Sequence, residues 1–184
     1  MKAFTEKFGK RVYEGDSISC SVDGFKAIAT VHHDPDLGPP WREHDGHGIV
    51  REDLKENKRP GERVMGQGYA RDIYFLYDFA ATVKKAKAEG WDAPPYKTGT
   101  KGQQAERAAE SDFRNMQAWL DDKWTWCYVL LTVYKNGIKL GSASLCGIEC
   151  NYPESGNSYL CDAANELLDE ALDEARKTLA KLTA

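Results

Sequence analysis

The stretch Trp124-Thr125-Trp126-Cys127-Tyr128-Val129-Leu130-Leu131-Thr132-Val133-Tyr134, followed by Lys135-Asn136-Gly137 and by Ile138-Lys139-Leu140-Gly141-Ser142-Ala143-Ser144-Leu145-Cys146-Gly147-Ile148, decides the fold. Its first run is β-branched and aromatic, the side chains that fit a pleated, half-buried surface. Asn-Gly tolerates positive φ at both central positions of a two-residue turn, which matches the twist of paired strands. Apolar residues resume at Ile138, so the stretch predicts a β-hairpin.

Working outward, Ser17 to Val22 alternates, Asp23-Gly24 offers another tight turn, and Phe25, Ala27, Ala29 and Val31 share one side of the next run, a second hairpin signal. Asp72-Ile73-Tyr74-Phe75-Leu76-Tyr77 reads as a buried strand. Asp78 then stands as N-cap of a helix through Phe79, Ala80, Val83 and Ala86, which Gly90 stops. After a break at Pro94-Pro95 and Gly99, Ala105, Ala109, Phe113, Met116 and Leu120 recur at helical spacing and predict an amphipathic helix over 102–121. A last helix is predicted from about Tyr159 to Leu182, opened by Asn157 or Ser158. Leu160, Ala164, Leu167, Leu168, Ala171, Leu172 and Ala175 line one side of it, while Asp162, Glu166, Asp169, Glu170 and Asp173 line the other. From His32 to Gly68 the periodicity collapses among prolines, glycines and charges, which predicts a long irregular loop over 33–68. The expected architecture is a single α+β domain over 1–184. It has an antiparallel sheet built from two hairpins plus a middle strand, with three helices packed on one face.

Composition bounds the function. With 184 residues, 41% hydrophobic and 11% aromatic, the chain is long enough to bury a core without metal or disulfide support. No apolar run approaches the roughly 20 residues of a membrane helix. Met1-Lys2-Ala3-Phe4-Thr5-Glu6-Lys7 turns charged at once, unlike a signal peptide. The expected location is therefore cytoplasmic, in keeping with five cysteines, an odd number, that lack zinc-ribbon spacing. The net charge of −4 lies entirely in residues 151–184, which carry seven acids and three bases. No basic footprint for phosphates is present, which argues against direct sequence-specific DNA binding.

All four histidines lie in His32-His33-Asp34-Pro35-Asp36 and His44-Asp45-Gly46-His47-Gly48. Neutral imidazoles with a carboxylate to orient them are what a divalent metal needs, so His33, His44, Asp45 and His47 are candidate ligands of a hydrolase or nuclease centre. Gly46 and Gly48 make a helix improbable there, and a turn-rich loop whose Asp and His cap main-chain amides is the competing reading. Trp41 and Arg42, with His44, Asp45 and His47, are also candidates for a protein-binding patch. Gly66-Gln67-Gly68 lacks the rest of a dinucleotide turn, and no phosphate-cradling loop ending in Gly-Lys-Ser/Thr occurs. The line Asp162, Glu166, Asp169, Glu170 and Asp173 can imitate phosphates toward a basic channel, or it is the solvated side of a helix.

Leu145-Cys146-Gly147-Ile148-Glu149-Cys150-Asn151-Tyr152-Pro153, then Asn157-Ser158-Tyr159-Leu160 and Ala164-Asn165-Glu166-Leu167-Leu168, resemble the C-terminal part of small accessory proteins of tailed bacteriophages and prophages. Pro39-Pro40-Trp41, His44-Asp45-Gly46-His47-Gly48 and Arg59-Pro60-Gly61-Glu62-Arg63-Val64 resemble further segments of that group. Cys146 departs from it, standing where a tryptophan is expected. The group is uncharacterised and carries over no catalytic residues. What the resemblance implies is a protein of the bacterial host cytoplasm that binds and inhibits a host factor, such as a nuclease-containing defence complex of restriction or CRISPR type, without a cofactor. The expected surfaces are the 33–68 loop and the acidic helix side. The alternatives are a divalent-metal hydrolase built on the His/Asp loop and a protein that sequesters a nucleotide signal.

Overall fold

The computed structural model describes residues 3–91, 98–153 and 155–183, so Pro94-Pro95 lies outside the described residues. In chain order the elements are β1 (Ser17–Val22), β2 (Phe25–His33), α1 (Pro40–Glu43), β3 (Val50–Leu54), β4 (Glu62–Gln67) and β5 (Ile73–Asp78). There follow α2 (Phe79–Glu89), α3 (Lys101–Leu120), β6 (Thr125–Lys135), β7 (Ile138–Cys150) and α4 (Ser158–Leu182). The class is α+β and the strands pair antiparallel, but in two sheets, ordered β1-β2-β6-β7 and β3-β5-β4, where the sequence predicts one. The chain divides into two compact units, Met1–Leu37 with Lys123–Ala184, and Gly38–Asp122. No helix among the described residues is long and apolar enough to cross a membrane.

In the first unit both hairpins form as their turns dictate. Asp23 and Gly24 have φ of 51° and 76°, Asn136 and Gly137 of 49° and 80°, the left-handed pair of a tight hairpin turn. Only α4 packs on this sheet, where three helices are expected, because α2 and α3 pack on one another in the second unit. Ala27, Ala29 and Val31 of β2, Val129, Leu131 and Val133 of β6, and Leu160, Ala164, Leu168, Ala171 and Ala175 of α4 share one core with Phe4, Phe8 and Val12 of the N-terminal segment. That segment is held by side-chain amides. Asn165 Oδ1 accepts from the Ala3 and Phe4 N–H groups at 2.9 and 3.1 Å, and Asn151 Oδ1 accepts from Val12 N–H at 2.8 Å. Asn157 precedes α4 as expected, but with φ of 56° and no capping bond. Its side-chain oxygen instead accepts from Asn151 N–H at 2.8 Å. Gly141 sits where β7 meets α4, and a Cβ there would lie 2.5 Å from Ala171 O and 2.6 Å from Ala175 N. Cys146, the departure from the phage group, is exposed, so the packing of β7 does not depend on it.

In the second unit, the 33–68 stretch read as irregular loop contains α1, β3, a 3-10 turn at Lys55–Asn57 and β4. The periodicity fails there for a physical reason: β3 and β4 are the edges of a three-stranded sheet around β5, and they face one another across β5 through a charged pair instead of apolar side chains. Arg51 of β3 grips both oxygens of the buried Glu62 of β4, at 2.7 and 2.8 Å, and also pairs with Asp53. Asp78 caps α2 by accepting from Ala81 N–H at 2.8 Å, and Gly90 ends it at φ 71°. Thr100 and Gln103 cap α3 reciprocally.

The Arg51 guanidinium, helped by the Arg59 N–H, holds the Glu62 carboxyl at about 2 against an ordinary 4.5. A carboxyl lowered by folding stabilises the native state fully above its unfolded pKa and loses that contribution as pH falls through the folded one. The stabilisation from Glu62 is therefore complete above pH 4.5 and disappears on the way down to about 2. Unfolding free energy measured against pH is expected to fall less steeply over that window in Glu62→Gln than in the wild type. Parallel acid limbs would contradict the assignment.

Candidate functional site

The His44-Asp45-Gly46-His47-Gly48 segment is fixed by a buried carboxylate that lies 64 residues further on. Asp112 of α3, 8% exposed, accepts from His47 Nδ1 at 2.9 Å, from Gly48 N–H at 2.9 Å and from the Tyr77 hydroxyl at 2.7 Å. A carboxylate only accepts, so His47 carries its proton on Nδ1. Burial, followed by the Asp112 charge, pushes the Tyr77 hydroxyl far above its usual range, so it stays a donor. Lys85 of α2 donates to the carbonyls of Asp45 and His47 at 2.7 and 2.9 Å. Gly48 is required at its position because a Cβ would lie 2.5 Å from the Tyr77 ring.

Each candidate residue of this region finds a place in that construction. Trp41 turns edge-on to Phe75 and Trp119, with centroids 5.0 and 5.7 Å away, so it is half-buried and not a projecting anchor. Arg42 is exposed and pairs with Glu52. His44 is exposed, its ring 6.5 Å from that of His47, and Asp45 is exposed while its carbonyl serves Lys85. His33 belongs to the first unit, where its ring Nδ1 lies 3.2 Å from Trp126 O and 3.1 Å from Thr125 Oγ1. His32, beside it, bonds Glu14 at 2.6 Å and stacks on Tyr128. The imidazoles are thus divided between the two units, and among the described residues no three His, Cys, Asp or Glu side chains are grouped to hold a metal ion. Chemically, His47 backed by Asp112 resembles an oriented acid–base pair, yet every group around it is spent on securing the loop. The turn-rich reading has the loop's own Asp and His as main-chain caps; here the carboxylate that accepts from the Gly48 N–H is Asp112 of α3, and His47 bonds that carboxylate.

The acidic side of α4 is built as its periodicity predicts. Asp162, Glu166, Asp169, Glu170 and Asp173 are all exposed, while Leu160, Ala164, Leu168, Ala171 and Leu172 are buried behind them. Asp173 bonds Arg176, which reaches on to Asp23 at 2.6 Å. Glu166, Asp169 and Glu170 meet no cation among the described residues. Sequence reasoning missed Asp112, Tyr77 and Lys85. The available signal was Asp112 itself, an acid on the apolar stripe Ala105, Ala109, Phe113 and Met116 of α3. Comparison of the chain with protein-family profiles, with curated proteins and with solved structures returns no match.

Proposed function

We propose that the protein acts by stoichiometric binding, laying the acidic side of α4 on a basic surface of a nucleic-acid-handling host enzyme and so blocking it. The enzyme class is a nuclease of restriction or CRISPR type in a bacterial cytoplasm, the class of partner suggested by the resemblance to phage accessory proteins. The observation that carries the reading is that this side is acidic from Asp162 to Asp173 and that Glu166, Asp169 and Glu170 at its middle are exposed and meet no cation among the described residues. Its five carboxylates span about 16 Å of helix axis within an arc of about 100°. That is roughly one charge per 3 to 4 Å, close to the one per about 3.4 Å of a single nucleic-acid strand. A channel that attracts phosphates attracts such a line by the same Coulomb term, and the attraction weakens with salt.

The test uses the intact chain as bait in host lysate, with wild type and the double reversal Asp169→Lys/Glu170→Lys compared side by side. Both positions are exposed and do not take part in the core. A retained nuclease is expected, with retention falling roughly tenfold in the reversed variant and falling with added salt in the wild type. Failure to retain such an enzyme, or retention indifferent to both charge reversal and salt, would defeat the proposal.

A further inference from the structure

The sheet of the first unit has a second side. Residues 27, 29, 31 and 129, 131, 133 point to the core under α4, so the alternate residues point away from it. The register sets Ser21 of β1 opposite Lys26 of β2, and Lys26 opposite Tyr134 of β6, a row across three strands on the side away from α4. This row lies next to both hairpin turns, and between them opens a cavity of about 520 Å³ that Ile28, Lys135 and Asn136 also line. Its size falls in the range of roughly 300–1,000 Å³ usual for small-molecule sites.

The lining is chemically selective. Its charged residues are Lys26 and Lys135, with no acidic residue among them, although the chain as a whole carries −4. A local excess of positive charge in an acidic chain concentrates anions. The Lys135 ammonium lies 5.0 Å from the centre of the ring of Phe25, which is itself among the lining residues. Tyr134 and Ile28 are half-buried and offer a flat apolar floor, while Ser21, Asn136 and the Tyr134 hydroxyl offer hydrogen bonds to a polar edge. Charge for a phosphate, a floor for a planar ring and donors for its rim together describe one ligand chemistry. We propose that this pocket binds a nucleoside phosphate, either free or as one unit of a single strand.

Both sources fit the surroundings. The side away from α4 continues from Tyr134 past the buried Thr132 to the half-buried Leu130 and Tyr128, about 20 Å along the strand, where His32 stacks on the Tyr128 ring at 5.1 Å and 25°. Stacking platforms next to basic groups are how sheets hold single strands without reading sequence. The inference goes beyond the α4 reading and does not depend on it, because the two surfaces lie on opposite sides of one sheet.

Amide NMR titration of the full chain tests it, with adenosine monophosphate, inorganic phosphate and a short oligothymidylate as probes. Saturable shifts confined to 21–28 and 134–137 are expected, with phosphate alone binding far more weakly than the nucleotide. Lys26→Glu at the exposed position and Lys135→Glu at the half-buried one are each expected to weaken binding about tenfold or more while leaving the rest of the spectrum in place. Oligonucleotide no tighter than mononucleotide assigns the pocket to a free nucleotide, whereas tighter, steeply salt-dependent binding with shifts reaching Tyr128 assigns it to a strand. Absence of saturation by either at millimolar concentration overturns the proposal. So does affinity unchanged by both lysine reversals, or phosphate binding as tightly as the nucleotide.

Discussion

Gly141→Ala is expected to destabilise the first unit by about 3 kcal/mol or more, the upper end of what overpacking costs. The added methyl would lie 2.5 Å from Ala171 O and 2.6 Å from Ala175 N, so it meets main chain of α4 and not a side chain that can swing away. Relief requires α4 to lift off β7, and with it Leu168, Ala171, Leu172 and Ala175, all buried against the sheet. Urea unfolding followed by the fluorescence of Trp124 and Trp126, 1% and 2% exposed, reports the loss. A change under about 1 kcal/mol would mean that α4 does not sit against β7 at this distance.

In the second unit, Asp112→Ala is expected to cost about 3–5 kcal/mol, the penalty typical of removing one partner from a buried polar network. The alanine leaves His47 Nδ1, Gly48 N–H and the fully buried Tyr77 hydroxyl without their common acceptor. The loss is not a simple sum, and the double variant Asp112→Ala/Tyr77→Phe separates its parts. The Tyr77 hydroxyl can still turn to the Ala109 carbonyl, 3.1 Å away, so what the cycle isolates is its bond to Asp112, and the double variant is expected to be more stable than Asp112→Ala plus Tyr77→Phe would give by about 1 kcal/mol. Additivity in denaturant unfolding would show that the Tyr77 bond to Asp112 carries no weight. Asp112→Asn, which keeps the volume but turns one acceptor into a donor, is expected to fall between wild type and alanine.

These two sites also mark where the sequence speaks and where it is silent. The β6–β7 and β1–β2 hairpins were readable because Asn136-Gly137 and Asp23-Gly24 are among the few pairs at ease with two positive φ values. The acidic and apolar sides of α4 follow from spacing alone, and so does the Asp78 cap of α2. The strands β3 and β4 were not readable. Val50-Arg51-Glu52-Asp53-Leu54 carries three charged residues in five, and its half-buried Arg51 is matched by the buried Glu62 of β4, a pairing no hydrophobicity pattern registers. The His44–Gly48 motif showed its chemistry but not its purpose. Its partner Asp112 lies on another element, and only an acid placed among the alanines of α3 hinted that something polar had to meet it. The pocket by the hairpin turns had no sequence signature, because Ser21, Lys26 and Tyr134 become neighbours only through strand register.

The order β1-β2-β6-β7 has a kinetic corollary. β2 and β6 are adjacent, with His33 opposite Cys127, yet all of Gly38–Asp122 intervenes in the chain between them. Closing so long an excursion adds little to the equilibrium cost, since each doubling of loop length adds only about 0.6 kcal/mol. It weighs instead on the speed of assembly, because distant pairing must wait for a chance encounter that local hairpins do not need. On that argument the two hairpins are expected to form before the seam between them. A seam that closes late leaves the borders of β2 and β6 open to pairing with other chains until it does.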